Sequence, residues 1–145
     1  MKRILAAALL AATPAIAEYE TMEVQGSVSE AADRLVAAIE GAGAMVVARI
    51  DHQANAASAD LELRPAVKVI FGNPKLGTPL MQQDIRAGYH LPQMMLIYED
   101  EDGQVHVLWQ EPEDTFAELD VDDDSDAVEA MEGALERLAA AAVGQ

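Results

Sequence analysis

Three histidines, His52, His90 and His106, and one stretch rich in glycine and proline, Phe71–Leu80 (FGNPKLGTPL), hold the side chains of this chain best suited to site chemistry. Lys75 is the one cation between Lys68 and Arg86. Asn73 offers a donor and an acceptor. Thr78 ahead of Pro79 reads as a helix start, with threonine at the cap and proline at the first helical position. The first amides of such a helix are free and favour negative charge. A lysine beside them makes a seat for a small carboxylate or oxyanion. His52 follows Asp51 where a strand gives way to a helix, and an imidazole there serves as a general base, a metal ligand or a proton-sensitive contact. Neighbours in a strand point to opposite faces, so Asp51 does not orient His52 directly. The candidate binding set is therefore Asp51, His52, Asn73, Lys75 and Thr78. Turn chemistry explains most of the same residues without a ligand. Asn73-Pro74 starts a turn, Gly77 supplies a left-handed residue, and Asp51 with His52 caps a helix.

Sharper motifs fail on their spacing. Gly72 and Gly77 keep the gap of a phosphate-binding loop, but Thr78-Pro79 stands where lysine and a hydroxyl residue are required. No G-x-G-x-x-G, G-x-S-x-G or H-E-x-x-H occurs. Asp120-x-Asp122-x-Asp124-x-Asp126 opens like a calcium loop, yet Ser125 and Met131 occupy the positions of the required glycine and glutamate. Of the methionines beyond the leader, only Met94 and Met95 are close in sequence, and they sit on opposite strand faces. Core packing accounts for most of them, and a copper site is the lesser reading. Zero cysteines remove thiolate nucleophiles, thiolate metal sites and disulfides.

The elements that carry these residues begin behind a leader. Lys2 and Arg3 precede an apolar stretch, Ile4–Ala12, too short to span a bilayer, and Ala15-Ile16-Ala17 is a small-x-small cleavage site. Residues 1–17 are thus predicted to be a secretory signal peptide and 18–145 a single exported, periplasmic domain. Without the leader, seven basic residues face twenty-six acidic ones, a formal charge of −19. Such a chain is repelled by phosphate backbones and anionic lipid, so nucleic acid is excluded as a partner; no second apolar stretch of spanning length follows the leader, so no membrane span is expected. Glu99 to Asp126 holds thirteen of the carboxylates, and Ala87 to Glu136 has no lysine or arginine.

Hydrophobic periodicity predicts a strand over 19–25, then a helix opened by the capping box Ser27-Val28-Ser29-Glu30 and closed by Gly41 and Gly43. A second strand covers 44–50, a short helix lies within 51–60, and a third strand covers 66–71. A helix from Thr78-Pro79 to about Ala87 follows. Met94–Glu99 and Gln104–Gln110 form a hairpin around Asp102-Gly103. A last helix covers 126–143. The fold class is α/β, a two-layer sandwich with a mixed sheet of about five strands and helices mainly on one face. Val105, Val107 and Trp109 point to one face of the last strand, and His106, Leu108 and Gln110 to the other. That second face stays greasy for a sheet covered on one side, which predicts a homodimer through it.

The combination of Ile50-Asp51-His52, Phe71-Gly72-Asn73-Pro74, Gly77-Thr78-Pro79-Leu80, Leu91-Pro92 and Tyr98-Glu99-Asp100 resembles the bacterial and archaeal family known as domain of unknown function 302. The resemblance covers nearly all of 18–145. It implies a two-layer α/β sandwich, a stand-alone domain and a dimer, and it transfers no reaction. It also implies that Asp51-His52 and Asn73-Pro74 are where a site would lie, while Asp120–Asp126 falls outside the pattern. The functional expectation is a dimeric binding module for a small anionic ligand or a protein partner, with no cofactor and no metal ligand assigned. Two alternatives stay open: an enzyme with His52 as general base near Lys75, and periplasmic copper handling through histidine and methionine.

Overall fold

The computed structural model describes residues 19–144, so the leader expected at 1–17 lies outside the described residues. The chain runs β1 (Tyr19–Val24), α1 (Val28–Gly41), β2 (Met45–Asp51), α2 (His52–Ser58), β3 (Ala66–Gly72), α3 (Pro74–Gln83), a 3-10 turn (Ile85–Tyr89), β4 (Gln93–Glu99), β5 (Val105–Gln110), α4 (Pro112–Phe116) and α5 (Asp126–Val143). The five strands form one sheet in the order β1-β5-β4-β3-β2. All four pairings are antiparallel, where a mixed sheet was expected. The reason is where the connections run. A parallel return needs a crossover that carries the chain back along the sheet to the end where the first strand began. The seven-residue α2 turns the chain at one end instead and delivers it to the neighbouring strand. Only α1 crosses the full sheet, from one edge strand to the other.

Period-two alternation assigns the faces. Val67, Val69 and Phe71 of β3, Met95 and Ile97 of β4, and Val105, Val107 and Trp109 of β5 are all buried. They meet Leu35 and Ile39 of α1 and Met131, Leu135 and Leu138 of α5 in one core. Each such side chain stabilises the fold by roughly 1.5–3 kcal/mol through its removal from water. The second face carries Ile70, Met94, Leu96, Tyr98, His106 and Leu108, and Met94 keeps 49% of its surface exposed.

The helix ends are set by side chains. In α1 the capping box closes as its spacing requires: Glu30 N–H donates to Ser27 Oγ at 3.2 Å, and Ser27 N–H donates to Glu30 Oε2 at 2.9 Å. Arg34 of the same helix donates to the carbonyl of Ala142 at 3.0 and 2.8 Å, satisfying an end group of α5 and tying the two helices together.

The start of α3 corrects the sequence reading. The helix begins at Pro74, with Asn73 as its cap, and Thr78 and Pro79 lie inside it. Two cap-proline pairs, Asn73-Pro74 and Thr78-Pro79, compete here. The earlier one prevails because Asn73 Oδ1 accepts from Lys75 N–H at 3.0 Å and the Asn73 carbonyl accepts from Leu76 and Gly77. Starting there also places Leu76 and Leu80 one turn apart on the core side. The helix ends at Gln83, before the 3-10 turn, and not at Ala87. The five-residue α4 is an element that hydrophobic periodicity did not predict.

Candidate functional site

The register of β2 and β3 separates the expected site into two halves. Asp51 pairs with Val67 at the start of β3, whereas Met45 pairs with Gly72 at its end, next to Asn73. At about 3.3 Å per residue, six residues of strand put Asp51 and His52 roughly 20 Å from Asn73. The structure therefore does not bring His52 together with Asn73, Lys75 and Thr78, and a His52 general base near Lys75 loses its geometry. The cause is topological: β2 and β3 run antiparallel, so motifs at the C-terminal end of each strand lie at opposite ends of the sheet.

At the first of these ends, Asp51 caps α2 by accepting from Ala54 N–H at 2.9 Å, and His52 is the half-buried first residue of that helix. His90 is half-buried and sits edge-on to Tyr89 and Phe116, with centroids 5.2 and 6.0 Å away. His106 lies on the outer sheet face, stacked on Tyr98 at 5.4 Å, its Nε2 2.8 Å from Asp100 Oδ2. Asp100 is held below the usual carboxylate range, first by this bond and then by the amide of Gln104. The three rings lie in three separate settings. Among the described residues no three histidine or carboxylate side chains converge as metal ligands.

At the second end lies a cleft of about 900 Å³ between the C-terminal half of α1, the first turns of α3 and the middle of α5. This is within the range of small-molecule sites. The helices meet there with small side chains: Ala38 and Gly41 of α1 with Ala42 at its C-cap, Gly77 of α3, and Ala130 and Ala134 of α5. Leu76, Met81, Leu91, Met131 and Leu135 make its walls greasy, and Met45 and Val47 of the edge strand stand at its margin, 60% and 59% exposed.

Four polar side chains reach this apolar space: Asn73, Thr78, Gln93 and Arg137. Gln93 is 9% exposed and donates from Nε2 to Met131 Sδ at 3.1 Å, a weak acceptor. Its carboxamide oxygen accepts no hydrogen bond among the described residues. Arg137 is exposed, and among the described residues no ion pair holds its guanidinium. The chain thus brings Asn73 and Thr78 to the cleft and leaves Lys75, exposed, outside its lining. The sequence reading missed Gln93 and Arg137. Arg137 had a signal: it ends the long segment without a basic residue and falls at the i, i+3 and i+7 spacing from Ala134 and Ala130 that shares a helix face.

The family described as Domain of unknown function DUF302 matches residues 20–142. A crystal structure of an uncharacterized conserved protein DUF302 from Bacillus stearothermophilus has a TM-score of 0.67 to this chain at 18% identity, covering 86% of this chain and 94% of that one. This is a likeness of fold. The chain is also 40% identical over 92 residues to the fluoride-specific ion channel FluC 1 of Brucella suis biovar 1 (strain 1330), covering 63% of this chain and 36% of that protein. FluC 2 of Brucella melitensis biotype 1 gives the same identity over 34% of its length. The chain spans about a third of the length of the curated relatives it matches.

Proposed function

The chain belongs to the family described as Domain of unknown function DUF302, and from that premise we propose that it is a binding module that takes a small, mostly apolar molecule into the cleft between α1, α3 and α5. One observation carries the reading: an open apolar space of about 900 Å³ into which a buried amide, Gln93, presents an unused acceptor. Burying apolar ligand surface there supplies the affinity, and an acceptor in a greasy wall supplies orientation. The working environment is periplasmic in this reading. The channel name of the Brucella relatives belongs to chains of which this one matches only about a third, and no helix of the described residues is long and apolar enough to cross a membrane. Ion conduction is not part of the reading.

The test uses N-phenyl-1-naphthylamine, a neutral apolar dye that brightens when it leaves water. Wild-type chain is expected to bind it saturably, and Ala130→Phe and Ala134→Phe, which fill the cleft from α5, to weaken binding at least tenfold while keeping the circular dichroism spectrum. Absence of saturable binding, or binding untouched by both substitutions, sinks the proposal.

The same reading makes the module a dimer across the outer sheet face. Leu96 stands opposite Leu108, and Ile70 opposite Met94. Lys68 lies on the β3 flank of this face, and Glu23 lies on the β1 flank. A second copy turned about a two-fold axis along β4 sets the basic flank of each copy over the acidic flank of the other. Sedimentation velocity distinguishes this dimer from a monomer.

A further inference from the structure

We infer that the cleft selects amphiphilic carboxylates, with the carboxylate held by Arg137 over Gly133 and the alkyl chain running along α5 toward Met131 and Gln93. The inference rests on the cleft being a ligand site. Its own starting point is a glycine in the eighth position of an eighteen-residue helix. Glycine there weakens the helix relative to alanine, and neither a turn nor a left-handed backbone requires it. A Cβ on Gly133 would stand 3.1 Å from Arg137 Nη1. Without that methyl the guanidinium lies close against Gly133 as it runs back along the helix from its own Cα, and Arg137 is among the residues that line the cleft.

A guanidinium offers paired donors in a plane, which suits a carboxylate better than a hydroxyl. From the guanidinium the cleft continues over Ala134, Ala130 and Leu135 toward Met131 and Gln93, an apolar lining for an alkyl chain. The negative charge of the chain as a whole opposes anions at long range. That repulsion is screened over about 10 Å at 0.1 M salt, whereas a bidentate pair in contact is screened far less. Glu136 neighbours Arg137 in sequence but forms no ion pair with it among the described residues.

Calorimetry of the purified full chain with octanoate and with octanol separates the claims. Octanoate is expected to bind at least tenfold tighter than octanol. Arg137→Gln should bring octanoate down to the octanol level without changing octanol. Gly133→Ala should raise the melting temperature and yet weaken octanoate several-fold, a pairing that a merely structural glycine would not produce. Equal affinities in the wild type, or a preference that survives Arg137→Gln, overturn the carboxylate assignment while leaving saturable dye binding, and with it the cleft, intact. Loss of dye, octanol and octanoate binding together overturns both.

Discussion

Asp84 is a carboxylate with every partner it needs. Arg86 donates to it from Nε and from its own amide, and Asp120 N–H donates at 3.1 Å from a loop thirty-six residues on. Arg86, first through its side chain and then through its amide, holds the Asp84 carboxyl far below the usual range. A depressed carboxylate stabilises the fold at every pH above its unfolded value, and that contribution is lost as pH falls through the folded value. Asp84→Asn is therefore expected to lower the melting temperature by several degrees at pH 7. The gap to wild type should narrow once the pH drops below about 4. Thermal unfolding at pH 7 and pH 3 checks both; an equal gap at the two values refutes the linkage. Residue chemistry of this kind was partly legible. Asp51 as a cap and Ser27 with Glu30 as a capping box depend on neighbours three residues away. Gln93 depends on Met131, thirty-eight residues on, and the tie from Asp84 to Asp120 spans thirty-six, while the place of Arg137 depends on a void between helices.

Elements followed the same division. Strands and helices whose ends carry a cap, a glycine or Asp-Gly were readable, because those signals act through hydrogen bonds within one turn. At α3 two such signals competed, and tertiary burial of Leu76 and Leu80 decided between them. The capping box of α1 gives a clean measurement. Ser27→Ala removes the acceptor of Glu30 N–H and is expected to cost about 1 kcal/mol, read as a lower urea midpoint with an unchanged slope. A midpoint equal to wild type would show that α1 is held by its packing on α5 and the sheet alone.

For the molecule as a whole, formal charge opposes the proposed dimer and apolar area favours it. Repulsion between exposed charges is screened by salt, while hydrophobic contact is not weakened by it. Dimerisation should therefore strengthen between 20 mM and 300 mM sodium chloride, and Leu96→Asp, in the centre of the outer face, should leave a folded monomer. Sedimentation that is monomeric at both salts rules the dimer out. The sequence by itself determined the α/β class, the five strands and the stretch 71–80 as a place worth watching, because periodicity and capping are short-range physics. Tertiary structure alone decided that every strand pair is antiparallel, that His52 and Asn73 lie at opposite ends of the sheet, and that Arg137 replaces Lys75 at the cleft. Those outcomes depend on how the chain reverses and on where small side chains leave helices apart, and neither is encoded within any one element.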